Sequence, residues 1–361
     1  MEFNAADKKA AQKGKFARKL LSGEPLPRKS QPLELCYLQI PEPGPKQILI
    51  KISACGVCRT ELDQIEGRVS PPKLPIIPGH QPVGVVARLG KDVTKFNTGD
   101  RAGVTWIYSA CGRCKFCIRG LENLCDEFKA TGCHFDGGYA EYMVISEDYA
   151  LKIPEELGDL IYVAPLMCSG VIGYRSLKLT DMEDGKTLGL YGFGSANHLV
   201  LQMSNFLYPN SKKFVLTRNL KEQELAKKLG ADWAGDIKEN TPEKLDCAID
   251  TTPVWKSVVF ALSNLQKGGK LVINLIRKVD TDKNLLLELQ YEKHLWLEKE
   301  VKSVANVTRK DGEEFLAIAA KMRIKPRVTI YGLEEANKAL VELKSGVSVG
   351  SKVLRIDYGG L

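Results

Sequence analysis

The sequence lacks the features that mark membrane, secreted and repetitive proteins. No apolar run among its 361 residues reaches the about 18 residues that a transmembrane helix needs, so we expect no membrane span. It shows no internal repeat, no low-complexity segment and no secretory signal at its start. We therefore expect its ten cysteines to be kept reduced, as they are in the cytosol, and we expect a cytoplasmic location.

The positive charge is not spread evenly along the chain. The formal net charge is +8, but residues 1–29 hold eight basic and three acidic residues, which leaves only +3 for the remaining chain. The body is thus not expected to bind nucleic acid. We interpret residues 1–33 as a basic N-terminal arm: a surface extension, such as a solvated helix with Phe16 and Leu20 on its apolar side, or a partner-binding arm. Glu2 and Asp7 count against an organelle-targeting peptide.

Four cysteines fall within fifteen residues, in the pattern C-x2-C-x2-C-x7-C, at Cys111, Cys114, Cys117 and Cys125. The loop around them is too polar for a core, and four thiolates this close can enclose one metal ion tetrahedrally. A [4Fe–4S] sequence would have a last gap of three residues followed by proline. The pattern predicts a structural zinc site, and free or disulfide-bonded cysteines are the alternative.

The chain changes character near residue 160. From about residue 34 to 110, and again at 137–145, short β-runs are divided by turns, which indicates a small barrel or sandwich with the cysteine loop as an excursion. After residue 160, strands alternate with helices of about ten residues, which indicates a parallel, doubly wound sheet and an α/β fold. The residues after about 300 resemble neither half alone.

A glycine turn follows the first strand of the second region. Gly192, Gly194 and Ser195 connect a buried strand to a helix, and such glycines let the backbone approach a pyrophosphate at the helix N-terminus. The alternative is an ordinary strand-to-helix turn. Asn197 stands at the third glycine position, so the helix and strand are expected to lie slightly further apart. His198 is interpreted as an ordinary helical residue.

Three further segments complete a family pattern: SACGVCRTEL at 53–62, PIIPGHQPVG at 75–84 and APLMCSGVIGYRSL at 164–177. With the four-cysteine loop and the glycine turn in that order, they closely resemble the zinc-dependent medium-chain alcohol dehydrogenases from about residue 34 to 356. The resemblance implies a GroES-like β-rich catalytic domain at 34–163, with its zinc lobe at about 109–127. A Rossmann domain would span 164–300, and 301–361 would return to the catalytic domain.

The resemblance also implies a site with two zinc ions per chain. The catalytic zinc would be held by Cys58, His80 and Cys168, a ligand set that is the standard example for alcohol dehydrogenase, with the fourth position open to substrate. Zinc is a Lewis acid for an alcohol or carbonyl oxygen, and the nicotinamide exchanges a hydride with the carbon. Four further residues match family positions. Thr60 matches the hydroxyl that bonds the substrate oxygen, and Arg59 matches a residue that reaches the pyrophosphate. Glu61 matches the acid that orients His80, and Trp106 matches a bulky residue of the substrate pocket. Plain core for Trp106 and a solvated charge for Arg59 are the alternatives.

Two positions depart from the family pattern. Gln81 stands where a glutamate usually follows the histidine ligand, so the negative charge near the zinc is missing. Asp63 stands where a histidine often ends the proton relay, and a carboxylate is a weaker proton carrier near neutral pH. Both departures put the rate in doubt and leave the three metal ligands unchanged.

The second strand of the nucleotide-binding region predicts the coenzyme. Its end, about 20 residues after the glycine turn, holds Thr217 and Arg218 where NAD enzymes place an acid. A guanidinium suits a phosphate, so NADP is favoured over NAD unless Arg218 simply points to solvent.

The sequence thus predicts an NAD(P)-dependent alcohol dehydrogenase or aldehyde reductase that acts on small molecules, and the family implies a homo-oligomer. A polyol or secondary-alcohol dehydrogenase of the same family is the first alternative. Cys168 and the complete cysteine lobe favour the simple-alcohol branch. A non-catalytic zinc-binding protein is the second alternative, and the glycine turn and the low charge of the body count against it.

Overall fold

The computed structural model describes residues 14–20, 31–345 and 350–356. The chain divides into two compact units. The first joins the residues up to Cys168 with those from Val307 onwards, and the second is Ser169–Asn306. The sequence had placed these two boundaries a few residues earlier, after 163 and after 300.

The described residues contain seventeen strands and ten α-helices. The strands of the first unit's leading segment are β1 Gly14–Leu20, β2 Leu33–Gln39, β3 Gln47–Val57, β4 Pro82–Leu89, β5 Arg101–Val104, β6 Ile107–Ser109, β7 Lys129–Ala130, β8 Tyr142–Ser146 and β9 Ala150–Lys152. The later strands are β10 Thr187–Tyr191, β11 Lys212–Leu216, β12 Trp233–Gly235, β13 Leu245–Asp250, β14 Leu265–Ile273, β15 Glu300–Ser303, β16 Val328–Gly332 and β17 Ser351–Arg355. The helices are α1 Arg59–Ile65, α2 Lys115–Ile118, α3 Leu160–Val163, α4 Ser169–Leu179, α5 Ser195–Leu207, α6 Leu220–Lys228, α7 Lys256–Asn264, α8 Tyr291–His294, α9 Arg309–Met322 and α10 Ala336–Ser345.

The first unit is built on a seven-stranded sheet. Its strand order is β16-β17-β3-β4-β5-β9, and β8 pairs with the amino-terminal half of β3. All of these pairs are antiparallel except β16–β17. Residues Ile48, Ile50 and Ile52 alternate along β3 and pack into the core beneath the sheet. This β-rich arrangement agrees with the barrel or sandwich that the short β-runs of the sequence indicate.

Two β-runs of the sequence are shorter or more broken than expected. The run RAGVTWI divides into β5 and β6, with a break at Thr105 and Trp106, and β6 pairs with β7 instead of the main sheet. The run at 137–145 is a strand only from Tyr142 onwards, because Gly137 and Gly138 pack closely on other backbone and side-chain atoms. Cβ atoms at these glycines would lie 2.2 Å from the Gly79 carbonyl oxygen and 2.5 Å from Pro82.

The second unit is a six-stranded parallel sheet in the order β12-β11-β10-β13-β14-β15. Counted within the unit this order is 3-2-1-4-5-6, the order of Rossmann folds, in which ligands bind where the order reverses. Here the chain runs outward from β10 to β12 and then continues at β13 on the other side of β10. The reversal therefore lies between β10 and β13. All five residues of β10 are buried, because helices cover both faces of such a sheet.

The sequence analysis missed two strands of this sheet. Strand β12 is only three residues long, and the four residues of β15 are all exposed. Neither gives the run of apolar residues that indicates a strand buried on both faces.

The basic arm lies largely outside the described residues. Within it, Gly14–Leu20 is strand β1 and pairs antiparallel with β2, so the helix suggested for this segment is wrong there. A neighbouring strand supplies backbone hydrogen-bond partners that the local sequence does not reveal. Strand β2 in turn is fixed to α10, because the Asn337 side chain accepts from the Leu33 N–H and donates to the Leu33 carbonyl, at 3.0 and 2.8 Å.

No single helix of the described chain is long and apolar enough to cross a membrane. One bent pair of short helices, Leu160–Met167 and Ser169–Leu179, passes the same length and composition test when the two are taken together.

Candidate metal centres and nucleotide site

The four cysteines of the lobe converge on one point. Cys111 follows β6, Cys114 caps the start of α2, Cys117 lies within α2 and Cys125 follows a short 3-10 turn. Their sulfur atoms all lie within 4.8 Å of one another. All ten cysteines of the chain are free in the structure, so no disulfide competes for these sulfurs.

Backbone amides support negative charge on the lobe sulfurs. The Cys114 N–H points at the Cys111 sulfur at 3.4 Å, and the Cys111 N–H at the Cys125 sulfur at 3.5 Å. The backbone amides of Arg113 and Cys114 lower the pKa of Cys111 to about 7. Since thiolates are the metal-binding form of cysteine, the donors present fit a closed tetrahedral zinc site.

The second cluster joins three residues that are far apart in sequence. Cys58 is the residue before α1, His80 lies in the loop before β4, and Cys168 follows the 3-10 helix Ala164–Met167. Their candidate ligand atoms also lie within 4.8 Å of one another. The structure therefore assembles the Cys2His set that the family resemblance implied, and three protein ligands leave a fourth position open.

Glu61 holds two of these three residues. One oxygen of its fully buried carboxylate lies 2.5 Å from Nδ1 of His80, and the other accepts the Cys58 backbone N–H at 2.8 Å. The second contact arises because Glu61 is the third residue of α1 and forms a capping box with Cys58. With a neutral His80 that donates from Nδ1, Nε2 is left as the metal-binding nitrogen.

The cluster is electrically suited to a cation. Burial disfavours a charged His80, yet the Glu61 carboxylate and the Cys58 sulfur outweigh burial and raise its pKa to about 10. The hydrogen bond from Cys168 lowers the pKa of Cys58 despite burial, and His80 lowers it further. A pocket that draws a proton so strongly onto His80 fits a metal ion in that proton's place.

Two more predicted site residues adjoin the cluster. The Thr60 hydroxyl is buried and lies 3.8 Å from the Cys58 sulfur. The Trp106 ring meets His80 edge to face, with ring centroids 5.0 Å apart. Trp106 is held at this place by the break between β5 and β6, and its carbonyl accepts the Thr131 N–H at 2.9 Å. Both side chains can therefore contact a ligand of His80 or Cys58.

The two departures from the family pattern occupy different surroundings. Gln81 is buried, and its side chain packs on Gly56, where a Cβ would lie 2.1 Å from the amide oxygen. Asp63 instead accepts the Arg68 guanidinium at 2.6 Å. This ion pair occupies a carboxylate oxygen that a proton relay would need. Arg59, the first residue of α1, is exposed, and no described carboxylate forms an ion pair with it.

The glycine turn is fixed by close packing and by Asn197. Gly192 has φ +78°, and a Cβ there would lie 2.9 Å from Thr252 and 3.0 Å from Thr251. The buried Asn197 amide donates to the carbonyls of Tyr191 and Gly192, at 3.1 and 2.8 Å. The residue that replaces the third glycine therefore binds the turn from beneath. Above the turn, a Cβ on Gly194 would meet no atom within 4 Å, which leaves the room that a pyrophosphate needs.

The first turn of helix α5 carries the other residues of this motif. The Ser195 hydroxyl lies 2.7 Å from that of Ser169. His198 is buried, and burial lowers its pKa, while its Nδ1 lies 3.3 Å from the Gly194 carbonyl. Its place under the turn agrees with its interpretation as an ordinary helical residue.

The end of β11 holds the predicted coenzyme residues and one that the sequence analysis missed. Thr217 is buried and donates its hydroxyl to Glu222 of α6 at 2.5 Å. Burial raises the pKa of Glu222, although the hydrogen bonds from Thr217 and from the Phe193 backbone act to lower it. Arg218 is exposed. Glu222 was missed because it lies six residues beyond the end of β11, and only helix α6 turns it back towards the glycine turn.

Comparison with known proteins agrees with this architecture. The family described as "Alcohol dehydrogenase GroES-like domain" matches residues 44–155. The "Probable alcohol dehydrogenase AdhA" of Mycobacterium tuberculosis is 39% identical over 337 residues, covering 92% of this chain and 95% of that protein. An alcohol dehydrogenase of Geobacillus stearothermophilus is 35% identical over 335 residues, covering 90% and 96%.

Solved structures share the fold. The crystal structure of CAD from Helicobacter pylori, complexed with NADP(H), has a TM-score of 0.83 at 22% identity and covers 96% of this chain and 99% of that one. The fold, the relatives and the ligand clusters define a class of two-domain, GroES-like and Rossmann oxidoreductases. Within that class, this chain belongs to the zinc-type medium-chain alcohol dehydrogenase family. Its relatives support an oxidoreductase that acts on alcohols.

Proposed function

We propose that this protein is a zinc-dependent alcohol dehydrogenase and aldehyde reductase that uses a nicotinamide coenzyme. The observation that carries this proposal is the convergence of Cys58, His80 and Cys168 with three protein ligands and an open fourth position. The glycine turn at the reversal of a six-stranded parallel sheet supports dinucleotide binding.

The protein's own residues orient the reaction. A zinc ion bound here supplies Lewis acidity to the oxygen of an alcohol or carbonyl substrate. Thr60 places its hydroxyl beside the Cys58 sulfur, from which it can hydrogen-bond the substrate oxygen and exchange its proton. Trp106 forms one wall beside His80. Glu61 keeps the Nδ1 proton of His80 in place, so that the other ring nitrogen stays free for the metal.

The proton's route beyond Thr60 meets a residue that is already paired. Asp63 is the residue at the family's relay position, but Arg68 already binds one of its oxygens. We infer that Asp63 takes part only after this ion pair opens, or that solvent takes the proton from Thr60.

For the coenzyme we propose NADP, with NAD as the alternative. The strand end carries Thr217 and Arg218 and no acid of its own. A guanidinium offers forked donors to a 2′-phosphate. The carboxylate of Glu222 nearby counts for NAD, because an acid in this region can bond the ribose 2′-hydroxyl. Arg59 is the proposed ligand of the pyrophosphate.

We further propose two zinc ions per chain. The lobe zinc, bound by Cys111, Cys114, Cys117 and Cys125, has no open position and stabilises only its loop. The simple-alcohol branch is favoured over the polyol branch because the lobe is complete and Cys168 is the third ligand. The expected homo-oligomer remains a prediction.

The direct test is turnover of the purified protein with its metal content known. Absorbance at 340 nm is followed with NADPH or NADH and a panel of aldehydes that varies in chain length and branching. We expect turnover that disappears when a chelator removes zinc and returns with added zinc. No turnover with any aldehyde or alcohol at two zinc per chain would contradict the proposal.

A further inference from the structure

A buried lysine joins two segments at the carboxyl edge of the parallel sheet. Lys278 follows β14, and its side chain is only 5% exposed. Its ammonium lies 2.5 Å from a carboxylate oxygen of Asp250, the last residue of β13, whose side chain is fully buried. The ammonium also donates to the carbonyls of Thr252 and Val254, at 2.9 and 2.8 Å. One side chain from the segment after β14 therefore binds the segment after β13 at three points.

Further hydrogen bonds continue this connection. The Val279 N–H donates to the Pro253 carbonyl at 2.8 Å. The carboxylate of Asp282 accepts the backbone N–H groups of Trp255 and Lys256, at 3.1 and 2.9 Å. The two segments are thus fastened to each other from the lysine to the start of α7.

The ion pair contributes geometry more than stability. Burial raises the pKa of the Asp250 carboxyl, and the Lys278 ammonium acts to lower it. A buried ion pair gains little over packed apolar side chains, because both charges lose their water. The other carboxylate oxygen of Asp250 accepts the Thr252 N–H at 2.9 Å. The pair therefore fixes the path of the chain as it leaves β13.

The turn that the pair fixes adjoins the nucleotide site. Thr252 packs against Gly192, where a Cβ would lie 2.9 Å from the threonine methyl group. Dinucleotides bind across the reversal of the strand order in such sheets, which are built from two mononucleotide-binding halves. The glycine turn and the end of β11 belong to the adenosine half. The segments after β13 and β14 are therefore placed for the nicotinamide half.

We propose that Lys278 is a positioning residue for the coenzyme, because it holds segments 251–256 and 274–282 together as the support of the nicotinamide half. This inference rests on the proposed dehydrogenase function and adds a residue outside the metal clusters and the glycine turn. Since the two segments are ordered beforehand, the coenzyme does not have to order them when it binds. Lys278 lies 28 residues from Asp250 in the chain, so no local pattern marks it.

Coenzyme binding without turnover tests this role. Calorimetry on the full, zinc-loaded chain would compare NADPH and NADH with 5′-AMP, which fills only the adenosine position. Lys278→Met should weaken the dinucleotides about ten-fold, because binding must then order both segments, and should leave 5′-AMP within about two-fold. Unchanged dinucleotide affinity in Lys278→Met would overturn the inference, and so would an equal loss for 5′-AMP.

Two further variants separate positioning from stability. Lys213→Met removes a similarly buried lysine near the amino end of β11, whose ammonium donates to the Tyr208 carbonyl at 2.6 Å. It should lower the melting temperature and change no affinity more than about two-fold. The double variant Asp250→Asn/Lys278→Met leaves no buried charge at this place, so it should melt above Lys278→Met. Its dinucleotide affinity should stay about ten-fold weaker than that of the wild type, since the two carbonyls still lack their donor.

Recovery of wild-type dinucleotide affinity in the double variant would show that Lys278 only neutralises Asp250, and the inference would then be wrong. A ten-fold loss of dinucleotide affinity in Lys213→Met would also contradict it, because any destabilised chain would then bind the coenzyme poorly.

Turnover separates this inference from the function on which it rests. In Lys278→Met the KM for the coenzyme should rise about ten-fold with kcat within about two-fold, whereas a smaller folded fraction would lower kcat and leave KM unchanged. If the wild type reduces aldehydes and Lys278→Met keeps its coenzyme KM, the positioning role is wrong and the dehydrogenase stands. If the affinities change as expected while no aldehyde or alcohol is turned over, the positioning role stands and the proposed reaction is wrong.

Discussion

Glu61 lies 2.5 Å from Nδ1 of His80 and at the same time accepts the backbone N–H of Cys58 at 2.8 Å. A single buried carboxylate thus fixes the ring of one candidate ligand and the main chain of another. The capping box of α1 provides the second contact, so the start of the helix and the geometry of the candidate metal site depend on the same side chain.

Replacement of that carboxylate tests this dependence. In Glu61→Gln, a neutral amide can no longer balance the charge of the site or fix the histidine tautomer. Loss of such a partner weakens metal binding or activity by about 10- to 100-fold. Zinc affinity from a competing chelator is the measurement, and Glu155→Gln, whose side chain is 80% exposed, is the control. Unchanged affinity and unchanged turnover would show that Glu61 does not position the ligands.

The cysteine lobe should contribute stability and no chemistry. Cys114→Ser removes one of four ligands from a closed site, so one zinc should be lost and the melting temperature should fall. Turnover per folded molecule should stay within about two-fold of the wild type, because the lobe offers no open position. A variant with unchanged melting temperature and abolished turnover would reverse the assignment.

Gln81 tests whether the family's missing acid matters for rate. The side chain is buried against Gly56, and it supplies neither a thiolate nor an imidazole to the cluster. In Gln81→Glu we expect zinc content to stay the same and kcat to change more than zinc affinity, since the new charge is added next to His80 in the chain and changes none of the three candidate ligands. Gln81→Met is the uncharged control. Loss of zinc from Gln81→Glu alone would contradict this account.

Asn197 should hold the nucleotide turn. Its amide donates to the Tyr191 and Gly192 carbonyls, so Asn197→Ala leaves buried acceptors with one donor fewer, at a cost of about 1–3 kcal/mol. Denaturant unfolding should show this loss, and the KM for the coenzyme should rise. Asn205→Ala is the control, because it removes a hydrogen bond from the same helix, to the Leu229 carbonyl, away from the turn. A KM that rises equally in both variants would contradict a specific role of Asn197.

The two candidate metal clusters could be anticipated from the sequence for two different reasons. Cys111, Cys114, Cys117 and Cys125 are close in the chain, so their spacing alone indicates a shared metal. Cys58, His80 and Cys168 span 110 residues between the first and the last, and only the family pattern joined them in advance. The contact between Glu61 and His80 follows from the same pattern.

Other features depend on tertiary contacts that the local sequence does not carry. Strand β15 is exposed along its whole length and belongs to the sheet only because β14 pairs with it. Glu222 reaches Thr217 because α6 turns back over the end of β11.

The central claim is that one of two bound zinc ions carries the reaction, and the paired variants Cys58→Ala and Cys114→Ser test it most directly. Zinc per folded chain and turnover at 340 nm are measured on the same preparations. The account predicts two zinc ions in the wild-type protein and one in each variant, with turnover abolished in Cys58→Ala and retained in Cys114→Ser. Turnover that survives in Cys58→Ala after it has lost its zinc would contradict it.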